Sequence, residues 1–189
     1  MNGSSSHRDA DSCDADGVEL QMSHVGDLNR LLSYDCWANC ALAKRLGEAS
    51  PGKALSLLAH IFGMHRLWQA RVRGEAMAGT WQRAMWPPPR PSKFASECDD
   101  IRDSWSELLE GRDPKQTISY TDLAGRERQT SLADAVVHIA LHGSFHRGQI
   151  SLLIGSAKHP APDTGLVQAI HGGGLDACVP IDVPVETAS

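Results

Sequence analysis

The residues with most chemical potential are three histidines in the run Val136-Val137-His138-Ile139-Ala140-Leu141-His142-Gly143-Ser144-Phe145-His146-Arg147-Gly148-Gln149-Ile150. They recur every four residues. On a helix that step turns about 400° and rises about 6 Å, so successive members share a face. An i,i+4 pair of imidazoles can chelate one divalent ion. All three cannot, because His138 and His146 stand roughly 12 Å apart along the axis. Spacing therefore leaves two pairs open, His138/His142 and His142/His146. The stripe continues into Ile139, Ile150 and Leu153, with Gly143 and Phe145 interleaved, so the face points at least partly inward. Neutral imidazoles in such an interior need partners for their ring nitrogens, and a metal supplies one. The simpler reading, histidines hydrogen-bonded in a core, stays open beside it.

A third ligand would have to come from another helix. His60 sits inside the apolar pattern Leu57-Leu58-Ala59-His60-Ile61 and is the candidate. His65 lies five residues on, about 140° round the helix, and next to Arg66 it reads as solvated. His24 falls at a helix start, and His7, His159 and His171 in tails and loops. Cys36 and Cys40 are four apart and could share a metal, but two small buried residues is the plainer reading. The 5 cysteines (Cys13, Cys36, Cys40, Cys98, Cys178) form no CxxC pair, which fits reduced thiols in the cytosol better than a disulfide framework. Asp35 and Asp134, the carboxylates nearest the inward stripes, read as surface or cap residues. Arg147 either reaches a carboxylate or backbone of the pocket or lies on the helix surface.

The elements that must position these groups are helical. Val25, Leu28, Leu31, Leu32, Leu42 and Leu46 mark a first amphipathic helix, ended near Gly47 and the break Ser50-Pro51-Gly52. A second runs from about 53 to 73, striped by Leu57, Ile61, Met64 and Trp68 and stopped by Gly74. Met85-Trp86-Pro87-Pro88-Pro89-Arg90-Pro91 is an extended connection, and the stretch from Trp81 to Trp86 is placed to cover the mouth of the bundle. Ser92 can cap a third helix carrying Phe94, Cys98, Ile101, Trp105 and Leu108 on one face, with Gly111 after it. Thr117–Thr121 alternates and leads through Ala124-Gly125 into a short hairpin. Ser131 followed by Asp134 caps a last long helix, roughly 131–156. Trp37, Trp68 and Trp105 read as core.

Four long amphipathic segments with little strand predict an all-α fold, a four-helix bundle. A short link makes the first two helices antiparallel neighbours. The connection of about twenty residues between the second and third is a crossover long enough to let those two run parallel. Residues 1–17 read as a disordered leader, 18–158 as the bundle and 159–189 as a Pro/Gly-rich C-terminal tail that wraps the surface or frays. The chain has 189 residues, 41% hydrophobic and 22% charged, which is one domain of ordinary soluble composition. No run approaches 18 apolar residues, and the N-terminus lacks the apolar core of a signal peptide. A net charge of −5, from 18 Lys+Arg and 23 Asp+Glu, argues against a nucleic-acid backbone binder. A cytoplasmic enzyme or small-molecule binder is the expectation, with no membrane and no nucleic-acid partner.

Three pieces together carry a resemblance: Leu32-Ser33-Tyr34-Asp35-Cys36-Trp37-Ala38-Asn39; Leu58-Ala59-His60-Ile61 with Trp68-Gln69-Ala70-Arg71; and His138 to Gln149, ending in His-Arg-Gly-Gln. They resemble, in order, the DinB (DinB/YfiT-like) family of candidate metalloenzymes, over about 25–158. The resemblance implies a four-helix bundle with parallel second and third helices, often a homodimer. It also implies a metal site built from His60, His142 and His146, with His138 not usually a ligand. Two departures stand out: Asp35 where the family often has Asn, and Phe145 where it often has a second His. Three His ligands leave a coordination position open, as in catalytic sites. Zinc is the first expectation, and nickel also suits imidazole. The resemblance favours a thiol-dependent S-transferase that joins a low-molecular-weight thiol to a small electrophile in detoxification or stress. The alternatives are a metal-dependent hydrolase using a metal-bound hydroxide, for which no general base can be named, and a non-catalytic metal-binding bundle.

Overall fold

A computed structural model describes residues 25–75, 81–122, 124–155 and 160–175. In chain order these form α1 (Val25–Arg45), α2 (Gly52–Arg73), α3 (Trp81–Met85), a 3-10 turn (Pro91–Lys93), α4 (Phe94–Leu109), β1 (Thr117–Thr121), β2 (Glu127–Ser131), α5 (Leu132–Ile154) and α6 (Leu166–His171). The described residues are thus mostly helical, with one two-stranded sheet. No described helix is long and apolar enough to cross a membrane. The expected leader 1–17 lies outside the described residues, as do 176–189 of the expected tail and His7, His24, His159, Cys13 and Cys178.

Local signals set several helix ends. Gly74 stops α2 in the left-handed conformation (φ 74°), where its N–H donates to Arg71 O and the next N–H reaches back to Ala70 O. Ser131 Oγ accepts the Asp134 backbone N–H at 3.0 Å and donates to its carboxylate, so α5 starts where the sequence predicts. Ser92 does not cap α4. It lies inside the 3-10 turn, and α4 begins at Phe94 with no side-chain cap, because Pro91 at the head of that turn starts the helical winding early.

The sheet is the expected hairpin, antiparallel, with Thr117 opposite Ser131 and Thr121 opposite Glu127. Asp122 organises its turn: its carboxylate accepts from the Ala124 and Arg126 backbone N–H groups and from both Arg126 and Arg128 side chains. Ile118 anchors the hairpin in the core.

The helix pairing departs from the predicted α1–α2 neighbourhood. α1 packs chiefly on α4 and α5, and so does α2, while α1 and α2 have little contact. They reach each other across the centre through the Asp35–His65 hydrogen bond, 2.8 Å long. A short link constrains the ends of two helices but not the faces they bury. In α2 nine consecutive residues from Leu57 to His65 are buried, so it is enclosed on every side by α4, α5 and the 81–85 turn. The core they share includes Leu28, Leu58, Phe94, Leu109 and Val136, all at most 1% exposed. Trp68 and Trp105 lie in it as predicted, but Trp37 is only half-buried. Trp37 packs under the backbone of Gly174, where an added Cβ would overlap its indole ring. The described part of the C-terminal segment forms α6 and docks on α1, with the Tyr34 hydroxyl donating to Thr164 O at 3.0 Å.

Candidate metal centre

α2 and α5 pack side by side, and at one corner of that contact three imidazoles converge. His60 Nε2 lies 3.2 Å from His142 Nε2, which lies 3.2 Å from His146 Nε2. One nitrogen from each ring falls within 4.8 Å of the others. A tetrahedral ion with Zn–N bonds of 2.0–2.1 Å would separate its ligand nitrogens by about 3.3 Å, so the spacing is that of a chelating set.

The far side of two rings is held by oxygen. His60 Nδ1 is 2.7 Å from Met85 O, and His146 Nδ1 is 2.8 Å from Gln149 Oε1. Carbonyl and amide oxygens only accept, so each Nδ1 carries the proton and each Nε2 presents a lone pair inward. A single proton on His142 Nε2 could serve one of its two close contacts but not both. Burial pushes His142 down to about 3, reinforced by His146 and His60, and burial also lowers His60. The inward nitrogens of His60 and His146 thus both point lone pairs at His142 Nε2, and one divalent cation placed among the three would satisfy them together. The residues present fit such an ion.

Two features of this corner escape the residue-type reading. Gly63, one turn after His60, lets the backbone of the 81–86 turn press against α2: a Cβ there would meet Ala84 O at 2.6 Å and Met85 O at 2.7 Å. That approach delivers the carbonyl that fixes His60. Trp86 then stacks on the His60 ring at 3.8 Å, tilted only 10°. A glycine amid the apolar stripe of α2, and a Gln three residues after His146, were the available signals.

His138 stays apart from the three. It is exposed, its ring 6.0 Å from that of His142 and 5.5 Å from that of Trp68. Partial covering of its ring against Trp68, then the Arg71 charge, lower its pKa. Asp134 is engaged at the α5 cap.

His65 and Asp35 correct the sequence reading. Neither is at the surface: both are 0% exposed. The Trp105 indole N–H donates to His65 Nδ1 at 3.0 Å, so His65 carries its proton on Nε2 and donates it to Asp35. The Asp35 carboxylate also accepts from Asn39 and from Arg147, whose guanidinium reaches Asn39 Oδ1 as well. Burial alone would raise the Asp35 pKa, but His65 and Arg147 outweigh it and hold the carboxyl below its usual value. Gly143 makes room for this pair, since a Cβ would stand 2.5 Å from Asp35 Oδ1. Reading α2 as carrying a single apolar stripe hid this, because α2 is buried all round from Leu57 to His65. Cys36 is buried and Cys40 half-buried, beside α4 rather than the histidines.

Residues 41–172 match the family described as the DinB family. No curated protein and no solved structure matches the chain.

Proposed function

The chain belongs to the DinB family, and from that premise we propose that it is a divalent-metal-dependent S-transferase that joins a small thiol to an electrophile. The observation that carries the reading is the convergence of three ring nitrogens, two of them fixed as lone-pair donors by oxygens behind them. Three ligands from His60, His142 and His146 leave a position for substrate. Zinc is the ion proposed, with nickel as the competing one. When bound, such an ion supplies Lewis-acid chemistry that lowers the pKa of a thiol brought to it.

The chain's own residues do the rest. Met85 O and Gln149 Oε1 orient two of the imidazoles, and Trp86 shields one face of His60 from water. His138, its ring 6.0 Å from that of His142 and its pKa lowered by partial loss of water and by Arg71, is the residue proposed to take the thiol proton at a ring nitrogen. In balance, the thiol sulfur forms a bond to the electrophilic carbon, the leaving group departs with its electron pair, and the thiol proton passes through His138 to solvent. Metal-assisted hydrolysis is the second reading. Its base would likewise be His138, because Asp35 is committed to His65 and Arg147, and Asp134 to Ser131.

The finer architecture belongs to the same reading: the four long helices form a DinB-type bundle, with the 74–93 connection a crossover that makes α2 and α4 parallel. Exposed Leu141, Phe145 and Leu152, on one side of α5, suit a homodimer of a cytoplasmic protein. The test is metal content by mass spectrometry of untagged protein beside His142→Ala, followed by consumption of several small thiols with a reactive test electrophile. About one ion per chain, lost in the variant, with metal-dependent thiol consumption supports the reading. No ion after reconstitution, or a loaded protein inert toward every thiol, refutes it.

A further inference from the structure

A hollow of about 400 Å³ opens beside the three-histidine corner, between α2, α5 and the hairpin. Its volume is in the range of small-molecule sites. Met85 and His138 line the side nearest the histidines. Met64, Leu67 and Trp68 make an apolar wall. At the other end stands Arg71, its guanidinium 4.6 Å from the centre of the Trp68 ring and 4.2 Å from that of Tyr120, which β1 contributes.

Arg71 is under-used where it stands. Among the described residues its one hydrogen bond is a long contact of 3.4 Å to Thr121 O, against five N–H donors in a guanidinium. The two carboxylates that share the hollow are engaged elsewhere. Asp122 is bound by Arg126 and Arg128, and Asp134 by Ser131. No described carboxylate forms an ion pair with Arg71 within 4.0 Å. Arg71 is the one cationic side chain that lines the hollow, and with Asp122 and Asp134 both turned to other partners its charge is the one left to a ligand there. Contact with both rings holds the guanidinium in place, so an anion meets its donors already positioned. Burial lowers the Arg71 pKa, with Tyr120 and Asp122 opposing it, which marks a cation paying for lost water.

We propose that this hollow is a carboxylate subsite: Arg71 binds the anionic end of a small, largely apolar molecule whose other end reaches His138 and the three-histidine corner. In naming the substrate class, a small molecule bearing a carboxylate, the inference rests on the transferase reading for what happens at that far end. The hairpin thereby gains a purpose, since it brings Tyr120 over the guanidinium.

The experiment titrates the metal-free full chain at pH 7.5 with N-acetylleucine and with its neutral amide, followed by chemical shifts. The acid is expected to bind about tenfold more tightly than the amide, the gain that charge-assisted bonds to a guanidinium supply. Arg71→Gln should erase the difference. In the unchanged chain, the acid but not the amide should protect Arg71 from phenylglyoxal, read by mass spectrometry, so the test does not depend on the variant folding. Equal binding of acid and amide, binding of neither, or a preference intact in Arg71→Gln overturns the proposal. Neither probe carries a thiol or an electrophile. A chain that prefers the acid yet consumes no thiol keeps the subsite and loses the transferase reading, and the converse result removes the subsite alone.

Discussion

Gly63→Ala tests whether the carbonyl behind His60 tunes the metal site. The new methyl would stand 2.6 Å from Ala84 O and 2.7 Å from Met85 O, both backbone atoms that cannot swing aside. Relieving the overlap to an ordinary contact moves that turn outward by about 0.8 Å. The His60–Met85 hydrogen bond, 2.7 Å in the structure, then stretches to about 3.5 Å, past the useful range. His60 loses the acceptor that fixes its tautomer and ring plane, and losses of this kind lower metal affinity by about 10- to 100-fold. Stability moves less, because two effects oppose. Overpacking costs about 1–3 kcal/mol, while alanine in a helix interior regains about 1 kcal/mol over glycine. The net expectation is about 0–2 kcal/mol lost. Zinc affinity would be measured by competition with a chromophoric chelator, alongside thermal melts of the metal-free protein. Gly148→Ala is the control: it lies in α5 with open space around its would-be Cβ, and should leave affinity unchanged. Wild-type affinity in Gly63→Ala would refute the role given to Met85 O.

Asp35→Ala should cost about 3–5 kcal/mol in denaturant melts, because it strands buried Arg147 and leaves the His65 N–H unpaired; a loss under about 1 kcal/mol would contradict the network. His138→Gln should keep its metal, by mass spectrometry, and lose thiol turnover by about tenfold or more; loss of the ion instead would make His138 a ligand. The metal-free chain should lose stability as pH falls from about 6.5 toward 3. The unfolded chain takes up protons there that His142, held down to about 3 by burial and its neighbouring histidines, refuses when folded. His60 and His138, also lowered, add to the same slope. Asp35 adds to the loss from the ordinary carboxylate range downward, because the unfolded carboxyl takes up its proton there while the folded one, held low, does not until its own lowered pKa is passed. Urea melts between pH 7 and 4 check this, and His142→Gln should flatten the dependence.

The helices were legible because each carries its own punctuation. Gly74 and Ser131 act within one turn of where they sit, so their effect can be read without knowing the fold. The i,i+4 step of His142 and His146 is likewise a property of one helix, and it survives as a 3.2 Å contact. What needed three dimensions was anything set by an approach between elements. His60 and His65 differ by about 140° on α2, which shows that they face different neighbours but not which neighbours are polar. The Trp105 indole and the Asp35 carboxylate that bury His65 lie 40 and 30 residues away. The diagonal relation of α1 and α2 was hidden for the same reason, since it depends on which helices cover all sides of α2. Ser92 misled because a Pro one residue earlier had already begun a tighter turn.

The two histidines of α2 show how one helix can serve a site and a core without conflict. His65 is closed: both ring nitrogens are paired, to Trp105 and to Asp35, and Arg147 balances the carboxylate. Such a network rewards rigidity and needs nothing from outside. His60 is open: one nitrogen is paired to Met85 O and the other faces the inward ring nitrogens of His142 and His146. In the absence of a cation this corner is locally unfavourable, the kind of conflict that folded chains tolerate at functional positions. Gly143 ties the two clusters together. It follows His142 directly, and its missing side chain is what lets Asp35 and Arg147 meet one turn from the ligands. The closed cluster therefore holds α1, α2, α4 and α5 in register around the open one. The α2–α5 spacing that sets the distance from His60 to His142 is defended by hydrogen bonds outside the three-histidine corner.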